Sequence, residues 1–149
     1  MFFDKWFSKT IVVKYRYSDT PKISKLEVGD WIDLSVDDDI SMGQGEYLIL
    51  PLGIAMQLPK GYEAHIIPRS STFGKYGILQ ANSSGLIDNS FAGDNDWWGF
   101  PAYATRNTTV KRGTRICQFR IVKKQPQLKI KEVKFFNSKS RGGFGSTGN

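Results

Sequence analysis

The chain has 149 residues, 40% hydrophobic and 23% charged, which fits one globular domain and excludes both a disordered chain and two independent cores. No apolar run reaches the roughly 18 residues of a membrane helix, and the aromatic-rich start MFFDKWFSK lacks the apolar core of a secretory signal, so a cytoplasmic location is expected. The single cysteine, Cys117, excludes an internal disulfide and a structural thiolate zinc site; beside Ile116, Phe119 and Ile121 it reads as a small buried side chain.

The formal charge of +7 is unevenly placed. Residues 1–105 hold 9 Lys+Arg against 13 Asp+Glu, a net of −4, whereas residues 106–149 hold 12 against one, a net of +11. A basic C-terminal third calls for a polyanionic partner or for assembly against the acidic remainder; a basic surface that serves only solubility is the bland alternative.

In chain order, residues 1–10 form an N-terminal extension, residues 11–136 a β domain and residues 137–149 a glycine-rich tail. The period is mostly two. Ile11, Val13, Tyr15 and Tyr17 alternate with polar or outward positions, as do Ile54, Met56 and Leu58, then Cys117, Phe119 and Ile121, then Leu128 and Ile130; each pattern predicts a half-buried strand. Gly43 to Gly45, Pro59-Lys60-Gly61, Ser83-Ser84-Gly85 and Arg112-Gly113 punctuate these runs, so the expected fold is an all-β sandwich or barrel. Helix is confined to one short turn between Ser71 and Gly77. The tail, with four glycines and a single aromatic, Phe144, reads as mobile or as a lid ordered by a ligand, since Gly-rich backbone can offer successive N–H groups to phosphate oxygens.

Several residues offer chemistry. Arg69, Ser70 and Ser71 follow the strand around His65 to Ile67, where a guanidinium and two hydroxyls can hold a phosphate. Asp88 ends the run Gly85-Leu86-Ile87, which predicts a strand closing at a tight hairpin; its carboxylate can orient and deprotonate a water, or cap its own turn. Gln118 interrupts an apolar run and needs partners for its amide, while Arg115, three residues before it, falls on the opposite face of an ideal strand. His65, the lone histidine, has no metal-ligand companions and reads as packed or surface. Trp97 and Trp98 read as core or interface.

Together the motifs resemble the trimeric-type deoxyuridine triphosphatase (dUTPase) family, in order and over almost the whole chain. Gly29-Asp30-Trp31-Ile32-Asp33-Leu34 is similar to the first motif, Pro68-Arg69-Ser70-Ser71 to the second, Asn82 to Asp94 to the third, Arg112 to Gln118 to the fourth, and Arg141 to Gly148 to the fifth. The resemblance implies a jelly-roll-like fold, a homotrimer with active sites shared between subunits, and hydrolysis of dUTP to dUMP and pyrophosphate. Asp88 would be the general base for water attacking the α-phosphorus. Asn82 and the backbone of Gly85, Leu86, Ile87 and their neighbours would read uracil, and Phe91, where the family commonly has tyrosine, would pack on the deoxyribose. Arg69, Ser70, Ser71 and Gln118 would contact the α and β phosphates, and Asp33 would organise that end of the site through water or a neighbouring arginine. Arg141, Gly145, Ser146 and Thr147 would close over the γ phosphate while Phe144 stacks on uracil. Mg²⁺ would be held by the triphosphate and water, with no direct protein ligand.

Trp31-Ile32 in the first motif departs from the common pattern before Asp33, while Ala92 and the aromatic insertion of residues 95–100 resemble a Gram-positive bacterial and phage subgroup, which would place a phage-encoded chain in the host cytoplasm. Two other readings compete. A dCTP deaminase would need a glutamate in the third motif, and Glu27, Glu46, Glu63 and Glu132 all lie elsewhere. A nucleotide-sensitive regulatory module would meet a protein partner, with Trp97-Trp98 as the candidate surface. Stable nucleic-acid binding and membrane association are not expected, because the basic residues coincide with small-ligand motifs.

Overall fold

The computed structural model describes residues 10–18, 23 and 30–145, so the expected roles of Gly29, Ser146 and Thr147, and nearly all of the N-terminal extension, lie outside the described residues. Among the described residues the chain is all-β with one short helix: β1 (Lys14–Tyr17), β2 (Ile32–Ser35), β3 (Ile40–Met42), β4 (Tyr47–Pro51), β5 (Ile54–Gln57), β6 (Tyr62–Pro68), α1 (Thr72–Tyr76), β7 (Ile78–Gln80), β8 (Gly85–Ile87), β9 (Gly99–Ala104), β10 (Thr108–Val110) and β11 (Arg115–Lys123). The five-residue α1 is far too short to cross a membrane, and no helix among the described residues is long and apolar enough to do so.

The strands pair antiparallel into four sheets, ordered β2-β11-β6-β8, β4-β9-β7, β1-β5 and β10-β3, and the sheets do not close into the expected barrel. The largest sheet positions the site. Its inner face carries Leu34, Ala64, Ile66, Cys117 and Phe119, all at most 2% exposed. Trp98 packs edge-on against Phe119 with ring centroids 5.5 Å apart. Each such large apolar side chain contributes about 1.5–3 kcal/mol by leaving water. Cys117 is buried as expected, and burial pushes its thiol pKa well above the ordinary range.

The predicted punctuators are turns. Gly61, at φ +86°, closes the turn in which Tyr62 N–H bonds the Pro59 carbonyl (3.1 Å), and Gly113, at φ +84°, closes Lys111 to Thr114 (3.0 Å); each launches a long strand. The short helix falls where expected and ends at Gly77 in the left-handed conformation.

Four expectations need correction. The strand at residues 11–17 is reduced to β1, whose residues are all exposed because it pairs only with β5 in a two-stranded sheet. In β5, Ala55 is buried along with Ile54 and Met56: Arg16 lies opposite Ala55 and its long side chain crosses to Trp97 and Asp94. Residues 128–131 form no strand; Leu128 and Ile130 are 57% and 88% exposed, since beyond Lys124, whose N–H still reaches the Gly61 carbonyl (3.0 Å), the chain pairs with no sheet edge among the described residues. Finally, no return strand pairs with β8 after Asp88. Instead the Asn89 amide donates to the Leu58 (2.7 Å) and Pro59 (3.0 Å) carbonyls and draws the chain away.

Candidate active site

The central strand β11 contains a bulge between Arg115 and Cys117, where Arg115 pairs with Ser35 but Gln118 with Asp33. Their partners on β2 are two residues apart, so Arg115 and Gln118 share one face, contrary to the ideal-strand expectation of opposite faces. The extra residue is Ile116, and its carbonyl receives the Thr72 hydroxyl (2.6 Å) and the Arg69 N–H (3.4 Å). One bulge thereby fixes the second motif against the fourth.

The product is a compact charged cluster. Asp33 Oδ2 lies 3.3 Å from Arg69 Nε and 3.1 Å from Arg115 Nη1, with the Asp33 side chain only 12% exposed. Gln118 Nε2 donates to the Pro68 carbonyl at 3.2 Å, which leaves its second amide hydrogen for another acceptor. Two guanidiniums against one carboxylate leave a net positive charge at a half-open surface, an arrangement suited to phosphate oxygens. Ser70 stands exposed on the adjoining turn, and the Ser71 hydroxyl, at the N-cap of α1, makes no cap hydrogen bond. Arg115 had no assigned contact in the sequence; the adjacent buried pair Ile116-Cys117, which breaks the period of two, was the signal for the bulge that brings it here.

The second group lies at the other end of the same sheet. β8 pairs with β6 through Ala64↔Ile87, His65↔Leu86 and Ile66↔Gly85, which brings Asp88 beside Glu63. Asp88 is exposed, and its Oδ1 accepts the Ser90 N–H at 2.8 Å. Hydrogen bonds from the Ser90 hydroxyl and N–H, assisted by the charge of Lys124, hold its pKa below the ordinary carboxylate value, so it is ionised at neutral pH. A polar cavity of about 520 Å³ opens here, lined by Tyr62, Glu63, Asp88, Asn89, Ser90, Lys124 and Gln125. Phe91, 39% exposed, closes the same turn through its N–H to the Asp88 carbonyl (3.0 Å). Asn82 sits exposed in the turn before β8. His65 pairs with Glu63 at 3.1 Å, and among the described residues no three His, Cys, Asp or Glu side chains form a metal-binding group.

The two groups are not brought together within the chain. Glu63 and Arg69 are six residue steps apart along β6 and its end, about 20 Å of extended strand. The described part of the fifth motif, residues 141–145, stands apart as well: Phe144 is fully exposed, and Arg141 Nε donates to the Gly142 carbonyl at 3.4 Å. Trp98 is a core residue, 1% exposed, and Trp97 lies under the Arg16 guanidinium, 5.3 Å from its ring centroid, so the candidate partner surface loses Trp98.

Comparison with known proteins agrees with the motif order. The SPbeta prophage-derived deoxyuridine 5'-triphosphate nucleotidohydrolase YosS of Bacillus subtilis is 52% identical over 138 residues, which span 93% of this chain and 97% of that protein. The deoxyuridine 5'-triphosphate nucleotidohydrolase of a Hydrogenobaculum strain is 38% identical over 117 residues, covering 76% and 78% of the two chains. The fold is similar to that of the Staphylococcus bacteriophage 80alpha dUTPase, with a TM-score of 0.78, 19% identity and coverage of 94% of this chain and 100% of that one. A mutant dUTPase from Staphylococcus aureus phage phi11 superposes with a TM-score of 0.73 at 14% identity, covering 86% and 100%. Because the dUTPase family profile matches residues 25–148, the chain belongs to the dUTPase family.

Proposed function

We propose that this chain hydrolyses dUTP to dUMP and pyrophosphate in active sites shared between copies of a homotrimer with jelly-roll subunits. The observation that carries the reading is the placement of the family's motifs as two complementary groups: an exposed, ionised Asp88 held by its own turn, and an Arg69–Asp33–Arg115 cluster that keeps net positive charge. Asp88 accepts a proton from water as the water attacks the α-phosphorus. Arg69, Ser70, Ser71 and Gln118 hold the α and β phosphates, and Arg115 shares the Asp33 carboxylate so that Arg69 stays oriented as charge develops on the leaving pyrophosphate. Asn82 and the backbone of Gly85, Leu86 and Ile87 read the uracil edge, and Phe91 packs on the sugar. Arg141, Phe144, Gly145, Ser146 and Thr147 form the closing lid.

The separation of about 20 Å between Asp88 and Arg69 supports the shared site, because a base and a phosphate clamp at that distance cannot act on one α-phosphorus. Apolar residues on the C-terminal arm support assembly too. Ile130, Phe135 and Phe136 are 88%, 70% and 88% exposed on a segment with no sheet partner among the described residues. A head-to-tail contact that buries such an arm on the next copy closes into a ring when its rotation is threefold.

The phi11 structure concerns a structural Mg(II) ion in that protein. Here Asp33 is engaged by two arginines and Asp88 by Ser90, so the donor set fits an ion carried mainly by the triphosphate, with Arg69 and Gln118 holding those phosphates. When bound, Mg²⁺ neutralises phosphate charge and fixes the chain of phosphates for in-line attack. Pyrophosphate release from dUTP, dCTP, dTTP and UTP, with Mg²⁺, tests the assignment. Turnover is expected for dUTP and a severe loss in Asp88→Asn; full activity of that variant, or ammonia release from dCTP, would overturn it.

A further inference from the structure

We infer that Thr72 is a positioning residue of the phosphate-binding end: its buried hydroxyl holds the turn Arg69 to Thr72 against the bulge of β11 and so sets Arg69, Ser70 and Ser71 relative to Arg115 and Gln118. The inference deepens the reading of these residues as a phosphate clamp and rests on it. Thr72 is 1% exposed, so it meets no substrate and acts only through its neighbours. The need it answers comes from the bulge. Ile116 has no opposite residue in the ladders that β11 forms with β2 and β6, and it is fully buried, so its carbonyl needs a donor from outside those ladders.

Three hydrogen bonds answer it and close a ring through the second and fourth motifs. The Thr72 hydroxyl donates to the Ile116 carbonyl at 2.6 Å, the Thr72 N–H to the Arg69 carbonyl at 3.1 Å, and the Arg69 N–H to the Ile116 carbonyl at 3.4 Å. The last of these is long for a hydrogen bond, so the hydroxyl is the main tie between the turn and β11. Arg69 is the first residue of that turn, and Ser70 and Ser71 are its two middle ones, so a shift of the turn carries all three phosphate-binding side chains with it. On the other side of the tie, Ile116 is the extra residue that turns Arg115 and Gln118 to one face. Charge-assisted bonds to phosphate depend on such placement: a displacement on the order of 1 Å, caused by a residue away from the chemistry, can cost about 10²-fold in rate.

The test compares the full-length wild type with Thr72→Val, Thr72→Ser, Thr72→Ala and Arg69→Ala, each with Mg²⁺ and well below its thermal midpoint. Valine keeps the branched shape and lacks the hydroxyl. Serine and alanine both lack the methyl and differ by the hydroxyl alone, so either comparison isolates the hydrogen bond if one variant folds poorly. Thr72→Val is expected to lower kcat/KM for dUTP about tenfold and to raise the inhibition constant of inorganic pyrophosphate by a similar factor. The inhibition constant of deoxyuridine, which carries no phosphate, should change by less than about twofold. Thr72→Ala should follow valine, and Thr72→Ser should stay within about twofold of wild type in all three measurements. A threonine that serves stability alone gives a different pattern: a lower thermal midpoint, with kcat/KM and both inhibition constants at wild-type values. That pattern, equal weakening of deoxyuridine and pyrophosphate, or a serine variant as impaired as alanine overturns the role of Thr72 while leaving the clamp in place. Wild-type turnover and pyrophosphate inhibition in Arg69→Ala overturn the clamp itself, and the role of Thr72 with it.

Discussion

The two ends of the β2-β11-β6-β8 sheet are built by different means. At the Arg69 end three strands and a helix start converge: a bulge in β11 supplies the Ile116 carbonyl as a shared acceptor, and Asp33 is gripped by two guanidiniums. At the Asp88 end a single short turn does the work, with Ser90 and Asn89 fixing a carboxylate that stays exposed. The contrast fits the division of labour. A clamp for a polyanion needs several cations held apart against their own repulsion, and this takes long-range contacts; a base needs one oriented oxygen and free access to water, and this takes only local ones.

Substitutions at the two ends should therefore fail in different ways. Asp88→Asn should lose about 10²–10⁴-fold in kcat with dUTP affinity largely retained, measured by turnover beside equilibrium binding of a non-hydrolysable analogue. A parallel collapse of affinity would erase the distinction. Arg69→Ala should cost about 10²–10³-fold in kcat/KM, and the loss should appear in both kcat and KM if, as proposed, the guanidinium holds phosphate before and during reaction. Truncation after Lys139 removes Arg141 and the rest of the fifth motif; turnover should fall about tenfold or more while the assembled mass, read by light scattering, stays unchanged. Arg115→Ala should have the smallest effect, a few-fold in kcat/KM, since Arg69 keeps its own pairing with Asp33 (3.3 Å). An Arg115→Ala variant as damaged as Arg69→Ala would mean that Arg115 itself meets the phosphates.

Much of this contrast was legible in the sequence. Period-two alternation located β1, β5 and β11, and the glycine turns at Gly61 and Gly113 fell where the punctuation placed them. The cluster end was only half visible. Asp33, Arg69 and Gln118 came from the family motifs, but the shared face of Arg115 and Gln118 depends on a bulge, and a bulge reverses every facing assignment on one side of it. The hairpin around Asp88 was misjudged for a similar reason: strand propensity up to Ile87 carries no notice that Asn89 will spend its amide on Leu58 and Pro59 and turn the chain away. The alternation of residues 128–131 describes a segment able to pair, and among the described residues no edge receives it. Pattern records what a strand requires; the partner can belong to another molecule.

The central claim, a site made from more than one copy, can be tested by mixing two inactive variants. Asp88→Asn and Arg69→Ala chains are each expected to be nearly inactive alone. When the two are unfolded together and reassembled, a shared site predicts that activity returns, because some sites then combine the intact Asp88 of one copy with the intact Arg69 of its neighbour, about a quarter of them at equal mixing in a cyclic assembly. Mixed assemblies that remain as inactive as the parents would contradict the account, since that result requires Asp88 and Arg69 to act within one chain.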